Sequence, residues 1–203
     1  MARRTEHDLT ASTEVVPDEP IAALLTAAGA AQLVVLGSSA TGAADEMILA
    51  PVALRVAARS PHPVTIVPRQ RGNALAGRPV VALLGVGDAD EDGAVAEYAA
   101  AAATRFGTRV SVLQTRPAGH GPSSWADDPD QWRERYPDLE VDRTELPGGS
   151  GGDILSVACP TPLLVMSTGR GTLLHRSSLD APHRWLLRHC TSPMALVPQV
   201  HAG

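Results

Sequence analysis

The feature that most constrains this chain is a series of short, mainly apolar runs of strand length that alternate with stretches of helical character. A continuous apolar run is typical of a strand covered on both faces. Strands that alternate with helices predict a parallel sheet with helices on both sides. The predicted strands are Leu33–Leu36, Val64–Val67, Val80–Leu84, Val110–Gln114, Leu163–Met166 and Met194–Val197.

The segments between these strands are predicted to be helices, because their apolar residues recur at helical spacing and are bounded by glycine, proline and acidic residues that start or end helices. Pro51 is expected in the first turn of its helix, since a proline further in removes a hydrogen bond. Asp153 is expected to cap a short helix. An extended piece at Thr13–Val16 and an exposed or edge strand at Leu139–Leu146 complete the prediction. The predicted helices are Ile21–Ala28, Met47–Ala58, Ala94–Arg105, Gln131–Tyr136, Asp153–Ala158 and Asp180–His189.

The order of elements repeats about one and a half times along the chain. "ARSPHPVTIVP" (Ala58–Pro68) and "RHCTSPMALVP" (Arg188–Pro198) both place a proline before a strand that ends in Val-Pro. This internal similarity, a domain length apart, predicts two copies of one architecture, of which the first is incomplete. We predict a disordered tail over 1–12, a partial domain with the last three strands over 13–68, a linker over 69–78 and a complete domain over 79–199.

Composition excludes several classes of partner. The formal net charge is −5, the 17 basic residues are all arginine and scattered, and aromatic residues make up 3% of the chain. No basic groove or base-stacking platform stands out, so we expect no nucleic-acid partner. No apolar run approaches the ~20 residues of a membrane span, and we expect no membrane partner. Two cysteines, Cys159 and Cys190, make no disulfide framework, which favours a cytoplasmic location.

Three segments resemble the universal stress protein family. "LVVLGSSATGAADEMILAPVALRVAARSPHPVTIVP" (Leu33–Pro68) runs from an apolar strand through a glycine turn, a loop and a helix to Pro-Val-x-x-Val. "LVMSTGRGTLLHRSSLDAPHRWLLRHCTSPMALVP" (Leu164–Pro198) follows the same order less closely. Arg78–Gln114 is similar to the family's opening strand, helix and strand. The resemblance implies an α/β fold with a doubly wound parallel five-stranded sheet of Rossmann-like type, preceded by a partial copy.

Nucleotide-binding members of that family carry G-x2-G-x9-G-[ST] and an acidic residue at the end of the first strand. Glycines let the backbone approach phosphates closely, and a helix N-terminus offers N–H groups. In the C-terminal copy, Met166, or Ser167 when counted back from Pro193, replaces the first glycine. Asp180 falls within the Gly-Ser pair, where a carboxylate would cap the helix and repel phosphate.

The other parts of the motif also depart from the pattern. In the N-terminal copy, Gly37 remains, but Ala40 replaces the second glycine. Pro51, which lacks an N–H donor, falls in the Gly-Ser pair. Gly85 stands where the acidic residue of the first strand is expected. Asp88 or Asp90 could substitute only if their loop folds back.

These departures favour a non-enzymatic stress-response or regulatory protein with a degenerate nucleotide site and no cofactor. We predict no catalytic and no metal-binding residues. Gly169, Arg170 and Gly171 are the vestigial cofactor-binding residues in this interpretation. The alternative is a stress protein that retains weak ATP or AMP binding at that turn.

Two other patterns have plain structural interpretations. Gly148–Gly152 matches G-x-S-x-G, and Asp180 and His183 follow in hydrolase order, but a serine among four glycines is more simply a flexible loop. His183 and Cys190 share a predicted helix face, which favours a surface histidine and a buried thiol over a metal site. The acidic run over 88–92 is interpreted as a solvated helix start rather than a cation site.

The family resemblance also implies a mode of association. Its tandem and dimeric members join through their last strands, which pair antiparallel. We therefore expect a homo-oligomer or an intrachain pseudo-dimer in which Val64–Val67 pairs with Met194–Val197. Leu33–Leu36 would then have an open edge, covered by a second chain, by Thr13–Val16 or by sequence further upstream. The protein partner and the stress signal are not predicted.

Overall fold

One seven-stranded sheet runs through the computed structural model of this chain, which describes residues 10–37, 46–68, 75, 77–85, 89–116, 129–147, 150–168 and 181–198. The strands are β1 (Val34–Gly37), β2 (Val64–Val67), β3 (Val80–Leu84), β4 (Val110–Arg116), β5 (Val141–Pro147), β6 (Leu164–Ser167) and β7 (Met194–Val197). The helices are α1 (Pro20–Ala28), α2 (Glu46–Arg59), α3 (Ala89–Phe106), α4 (Pro129–Arg135), α5 (Gly151–Ala158) and α6 (Ala181–His189).

The strand order is β1-β2-β7-β6-β3-β4-β5, and neighbouring strands run parallel except at one junction. At that junction β2 lies antiparallel to β7, with Val64 opposite Leu196 and Ile66 opposite Met194. The order β5-β4-β3-β6-β7 is that of a doubly wound unit. The predicted α/β fold class is therefore confirmed, because apolar strands alternate with helices that cover the sheet.

Two apolar clusters fill the two faces of the sheet. On one face, α3 and Trp132 of α4 pack on strand residues such as Val80, Val110 and Val165. The other cluster combines residues of α2 and β2 with residues of α5, α6, β6 and β7. Val64, for example, is fully buried in the same cluster as Leu196. The segment before residue 69 therefore shares a core with the rest of the chain.

The β1 end of the sheet is covered by described residues on one face only. Leu24 of α1 and Leu36 of β1 belong to the shared cluster, whereas Val35, on the opposite face of β1, is 60% exposed. The extended piece predicted at Thr13–Val16, the first of the three strands expected before residue 69, is not a strand of the sheet, and Val15 is 91% exposed. Residues with strand propensity form a strand only where a neighbouring strand pairs with them.

Three predicted details of the helices are wrong. α3 begins at Ala89, five residues before Ala94. α2 begins at Glu46, so Pro51 lies in its second turn rather than its first. α5 begins at Gly151 with Ser150 as its N-cap, and Asp153 is the third residue of the helix rather than the cap.

The predicted edge strand lies within the described residues, whereas the predicted tail and linker lie there only in part. The edge position of β5 is confirmed by the strand order. Most of the predicted tail and most of the predicted linker fall outside the described residues. Within the described part of the chain, no helix is both long enough and apolar enough to cross a membrane.

Candidate functional site

The carboxyl ends of β3 and β6 form the point at which the direction of the winding reverses. β3 has β4 on one side and β6 on the other, and all three strands are parallel. Doubly wound folds bind ligands in the crevice at such a point, because the connections leave the sheet in opposite directions there. The candidate site is therefore built from the residues that end β3 and β6.

Gly85 follows β3 and lies unusually close to the neighbouring strand. Its φ is +81°, and a Cβ placed on it would lie 1.9 Å from the backbone oxygen of Thr115. The Thr115 hydroxyl also donates to the carbonyl of Leu84 at 3.3 Å. Only glycine fits this position, which gives a structural reason for its presence where the acidic residue was expected.

Asp92 supplies a carboxylate to the end of β3 from within α3. Both of its oxygens accept the N–H of Gly85, at 3.0 and 3.1 Å. Asp92 is 1% exposed, so its interpretation as part of a solvated acidic run is wrong. Sequence reasoning missed it because Asp92 was assigned to a loop, whereas an earlier helix start would have placed it near the end of β3.

The end of β6 contributes one core residue and one hydroxyl. Met166, which replaces the first glycine of the motif, is fully buried in the cluster that contains Leu83 and Leu186. Ser167 is 2% exposed and, by strand alternation, faces the side of the sheet that α3 covers. Thr168 then donates its N–H to the carbonyl of Val197 at 3.0 Å.

Several predicted site residues lie outside the described residues, and the structure does not bear on them. They are Gly169, Arg170, Gly171, Asp180, Asp88 and Ala40. Pro51, Asp90 and His183 are placed in helices by their backbone alone. The described part of the site therefore consists of the strand ends and the first turns of α3.

The positively charged side chain of Arg143 connects the two outer strands, β4 and β5. The Arg143 guanidinium donates through Nε to the side-chain oxygen of Gln114 at 3.1 Å and contacts the Glu145 carboxylate at 3.2 Å. Gln114 is 4% exposed. Since Arg143 already serves both neighbours, its charge is largely compensated within the protein.

The glycine-flanked serine is a helix cap. The Ser150 hydroxyl accepts the N–H of Asp153 at 3.3 Å, and the Asp153 carboxylate accepts the N–H of Ser150 at 2.9 Å. This capping box holds the pKa of Asp153 below its usual value, and the hydrogen bond with the Ser150 hydroxyl makes the largest contribution. A Cβ at Gly151 would lie 2.4 Å from the Trp185 ring, so a larger residue there would displace that ring. Ser150 thus has a structural role in this fold.

The described residues form no group of three or more His, Cys, Asp or Glu side chains that could hold a metal ion. The sulfur of Cys190 lies 3.4 Å from that of Cys159. His189 is exposed and stacks on Trp185, with ring centroids 4.2 Å apart. The described residues therefore explain Cys190 and His189 by contacts within the protein.

Residues 1–68 match the model of the Universal stress protein family. The match covers the segment that contains α1, β1, α2 and β2. No curated protein matches the chain.

Solved structures share the overall fold at low sequence identity. A universal stress protein from Archaeoglobus fulgidus DSM 4304 has a TM-score of 0.66 and 17% identity, covering 94% of this chain and 70% of its own. A putative universal stress protein from Pseudomonas aeruginosa UCBPP-PA14 has a TM-score of 0.64 and 15% identity, covering 90% of this chain and 69% of its own. A functionally unknown protein from Pseudomonas aeruginosa PAO1 has a TM-score of 0.64 and 13% identity, covering 91% and 69%. These neighbours share the α/β fold of this chain, and the family model matches its first 68 residues.

Proposed function

We propose that this chain is a non-enzymatic, cytoplasmic member of the universal stress protein family that acts through protein contacts and has a degenerate nucleotide site. One observation carries the proposal. At the end of β3, the buried Asp92 carboxylate accepts the N–H of Gly85 with both oxygens. Backbone N–H groups are what a phosphate would use in such a crevice, and this one is already bonded to a buried carboxylate.

The second candidate function is weak binding of ATP or AMP. The retained Gly169-Arg170-Gly171 sequence after β6 favours it, since two glycines and an arginine suit an anion. Met166 and Asp92 count against it, because one is a core residue and the other brings a negative charge to the neighbouring strand end.

A thermal-shift titration with ATP and magnesium separates the two functions. A ligand that binds only the folded state at ten times its Kd raises stability by about 1.4 kcal/mol. We expect no rise for the wild-type protein at sub-millimolar ATP. A clear rise there would favour the second candidate.

Asp92→Asn is the matched variant for this titration. Its amide oxygen can still accept the Gly85 N–H, while the negative charge is lost. A gain of ATP binding in this variant alone would assign the loss of binding to the Asp92 carboxylate. Equal behaviour of the two proteins would assign it to the other departures from the motif.

The contact surface that we propose lies at β1. β2 and β7 each have a strand on both sides, so the last strands offer no free edge to a second chain. Among the described strands β1 ends the sheet, and Leu33 and Val35 are 42% and 60% exposed beside its outer edge. Unpaired edge strands with apolar side chains favour pairing with another chain. A homo-oligomer formed through β1 follows from this arrangement.

Val35→Lys tests the β1 surface. A lysine on an edge strand disfavours pairing, so we expect the variant to be more monomeric than the wild type at equal concentration, as measured by sedimentation velocity. Val15→Lys is the control, because Val15 is 91% exposed but belongs to no strand of the sheet. A wild-type protein that remains monomeric at high concentration, or equal effects of both substitutions, would contradict self-association through β1.

A further inference from the structure

Two cysteines that are distant in sequence meet at the amino-terminal edge of the sheet. The sulfurs of Cys159 and Cys190 are 3.4 Å apart across 31 residues of sequence. Each cysteine directly follows a helix, and its N–H closes the last turn, Cys159 to Leu155 at 2.9 Å and Cys190 to Leu186 at 2.8 Å. Both sulfurs are thus positioned by a helix end that precedes a central strand.

The two turns that carry the cysteines are also bonded to each other. The N–H of Thr161 donates to the Ser192 hydroxyl at 3.0 Å, and the Cys190 thiol lies 3.5 Å from the Ser192 carbonyl. The Thr161 hydroxyl donates to the carbonyl of Pro79 at 2.7 Å, which ties the first turn to β3. Thr161 and Ser192 are 1% and 3% exposed. The approach of the sulfurs therefore rests on a buried, bonded framework.

The two thiols differ in exposure and acidity. Cys159 is half-buried, whereas Cys190 is buried. The hydrogen bond from Cys190 lowers the pKa of the Cys159 thiol to about 7, against the opposite effect of burial. The same bond, together with burial, raises the pKa of Cys190. Cys159 is also the more exposed sulfur, so it is the one that a reactant in solution meets first.

The helix ends moderate this reactivity. Both cysteines lie at helix carboxyl ends, whose partial negative charge opposes a thiolate. The expected reaction is therefore slower than that of a cysteine at a helix amino terminus.

We propose that Cys159 and Cys190 form a peroxide-responsive dithiol that closes to an intramolecular disulfide. The Cys159 thiolate attacks one oxygen of a hydroperoxide, the O–O bond breaks, and the released hydroxide or alkoxide takes up a proton. The Cys190 thiol then attacks the sulfenic acid on Cys159, so that an S–S bond forms and water leaves. The two thiols lose two electrons, and these reduce the hydroperoxide.

The structural demand of this step is small. A disulfide has an S–S bond of about 2.05 Å, so the sulfurs must approach by roughly 1.4 Å from their 3.4 Å separation. The bond encloses the chain from 159 to 190, which includes β6 and Gly169-Arg170-Gly171. A cross-link that closes a loop restricts the unfolded chain, so oxidation should raise the melting temperature. This inference does not depend on the proposed function.

The test compares the intact mass of the full chain before and after hydrogen peroxide, with peptide mapping of the product. We expect a loss of two hydrogen masses, one 159–190 linkage, full reversal by dithiothreitol and a raised melting temperature of the oxidised form. Two free thiols after treatment, or disulfide-linked dimers as the main product on a non-reducing gel, would overturn the proposal.

Single variants assign the roles of the two sulfurs. In Cys190→Ser the sulfenic acid on Cys159 has no partner, so trapping with dimedone should label Cys159. In Cys159→Ser labelling should be several-fold slower. The dimedone experiment is repeated with Cys190→Ala, which avoids placing a serine hydroxyl in the buried position and so guards against a folding defect of Cys190→Ser. Equal labelling of the two single variants would contradict the proposal, as would a peroxide-induced rise in melting temperature that persists when Cys159→Ser and Cys190→Ser are combined in one chain.

Discussion

Gly85→Ala is expected to lower the free energy of unfolding by about 3 kcal/mol or more. The new Cβ would have to occupy a residue at φ +81° and would lie 1.9 Å from the backbone oxygen of Thr115. Because both partners are backbone, β3 and β4 must separate locally, which also strains the bond from Gly85 to Asp92. Chemical denaturation followed by circular dichroism measures the loss.

Gly107→Ala is the matched control for this substitution. Gly107 also has a positive φ, +62°, but no atom lies within 4 Å of the Cβ position. The free energy of unfolding of Gly107→Ala should fall only by the cost of placing an alanine in the left-handed region, about 1–2 kcal/mol. If Gly85→Ala were no more destabilising than Gly107→Ala, the close approach of Gly85 to Thr115 would be wrong.

Val64→Asp is expected to destabilise the whole described core, by at least about 3 kcal/mol. Val64 is fully buried and lies opposite Leu196 across the antiparallel junction. A carboxylate there must either remain charged in an apolar cluster or become protonated, and both are costly. Because the cluster includes residues of α5 and α6, the loss should appear in a single cooperative transition of the full chain.

Thr65→Asp is the control in the next position of the same strand. Thr65 is only half-buried and faces the other side of the sheet, so a carboxylate there can reach water. A loss of no more than about 1 kcal/mol is expected. Two separate transitions in Val64→Asp, with the later one unchanged from wild type, would show that residues before 69 form an independent unit.

The strands could be predicted because their pattern is local. β2, β3 and β7 occur within one residue of the predicted bounds, since an uninterrupted apolar run between prolines and glycines allows little else. The prediction of a strand at Thr13–Val16 was wrong for the complementary reason. Its residues have the propensity of a strand, but propensity does not supply a neighbouring edge.

The candidate site was harder to predict because its contacts are tertiary. The acidic run that contains Asp92 gave no sign that one of its carboxylates would turn back to Gly85. The sequence also gave no sign that a Cβ at residue 85 would meet Thr115, because that contact depends on how β3 pairs with β4. The proximity of Cys159 and Cys190 likewise depends on two turns that the sequence separates.

The antiparallel junction between β2 and β7 reverses the polarity of the sheet. β1 and β2 end at Gly37 and Val67, on the opposite rim from Leu84 and Ser167. The two rims are separated by the length of a four-residue strand, roughly 13 Å. A single sheet thus presents carboxyl ends of parallel strands on both of its rims, pointing in opposite directions.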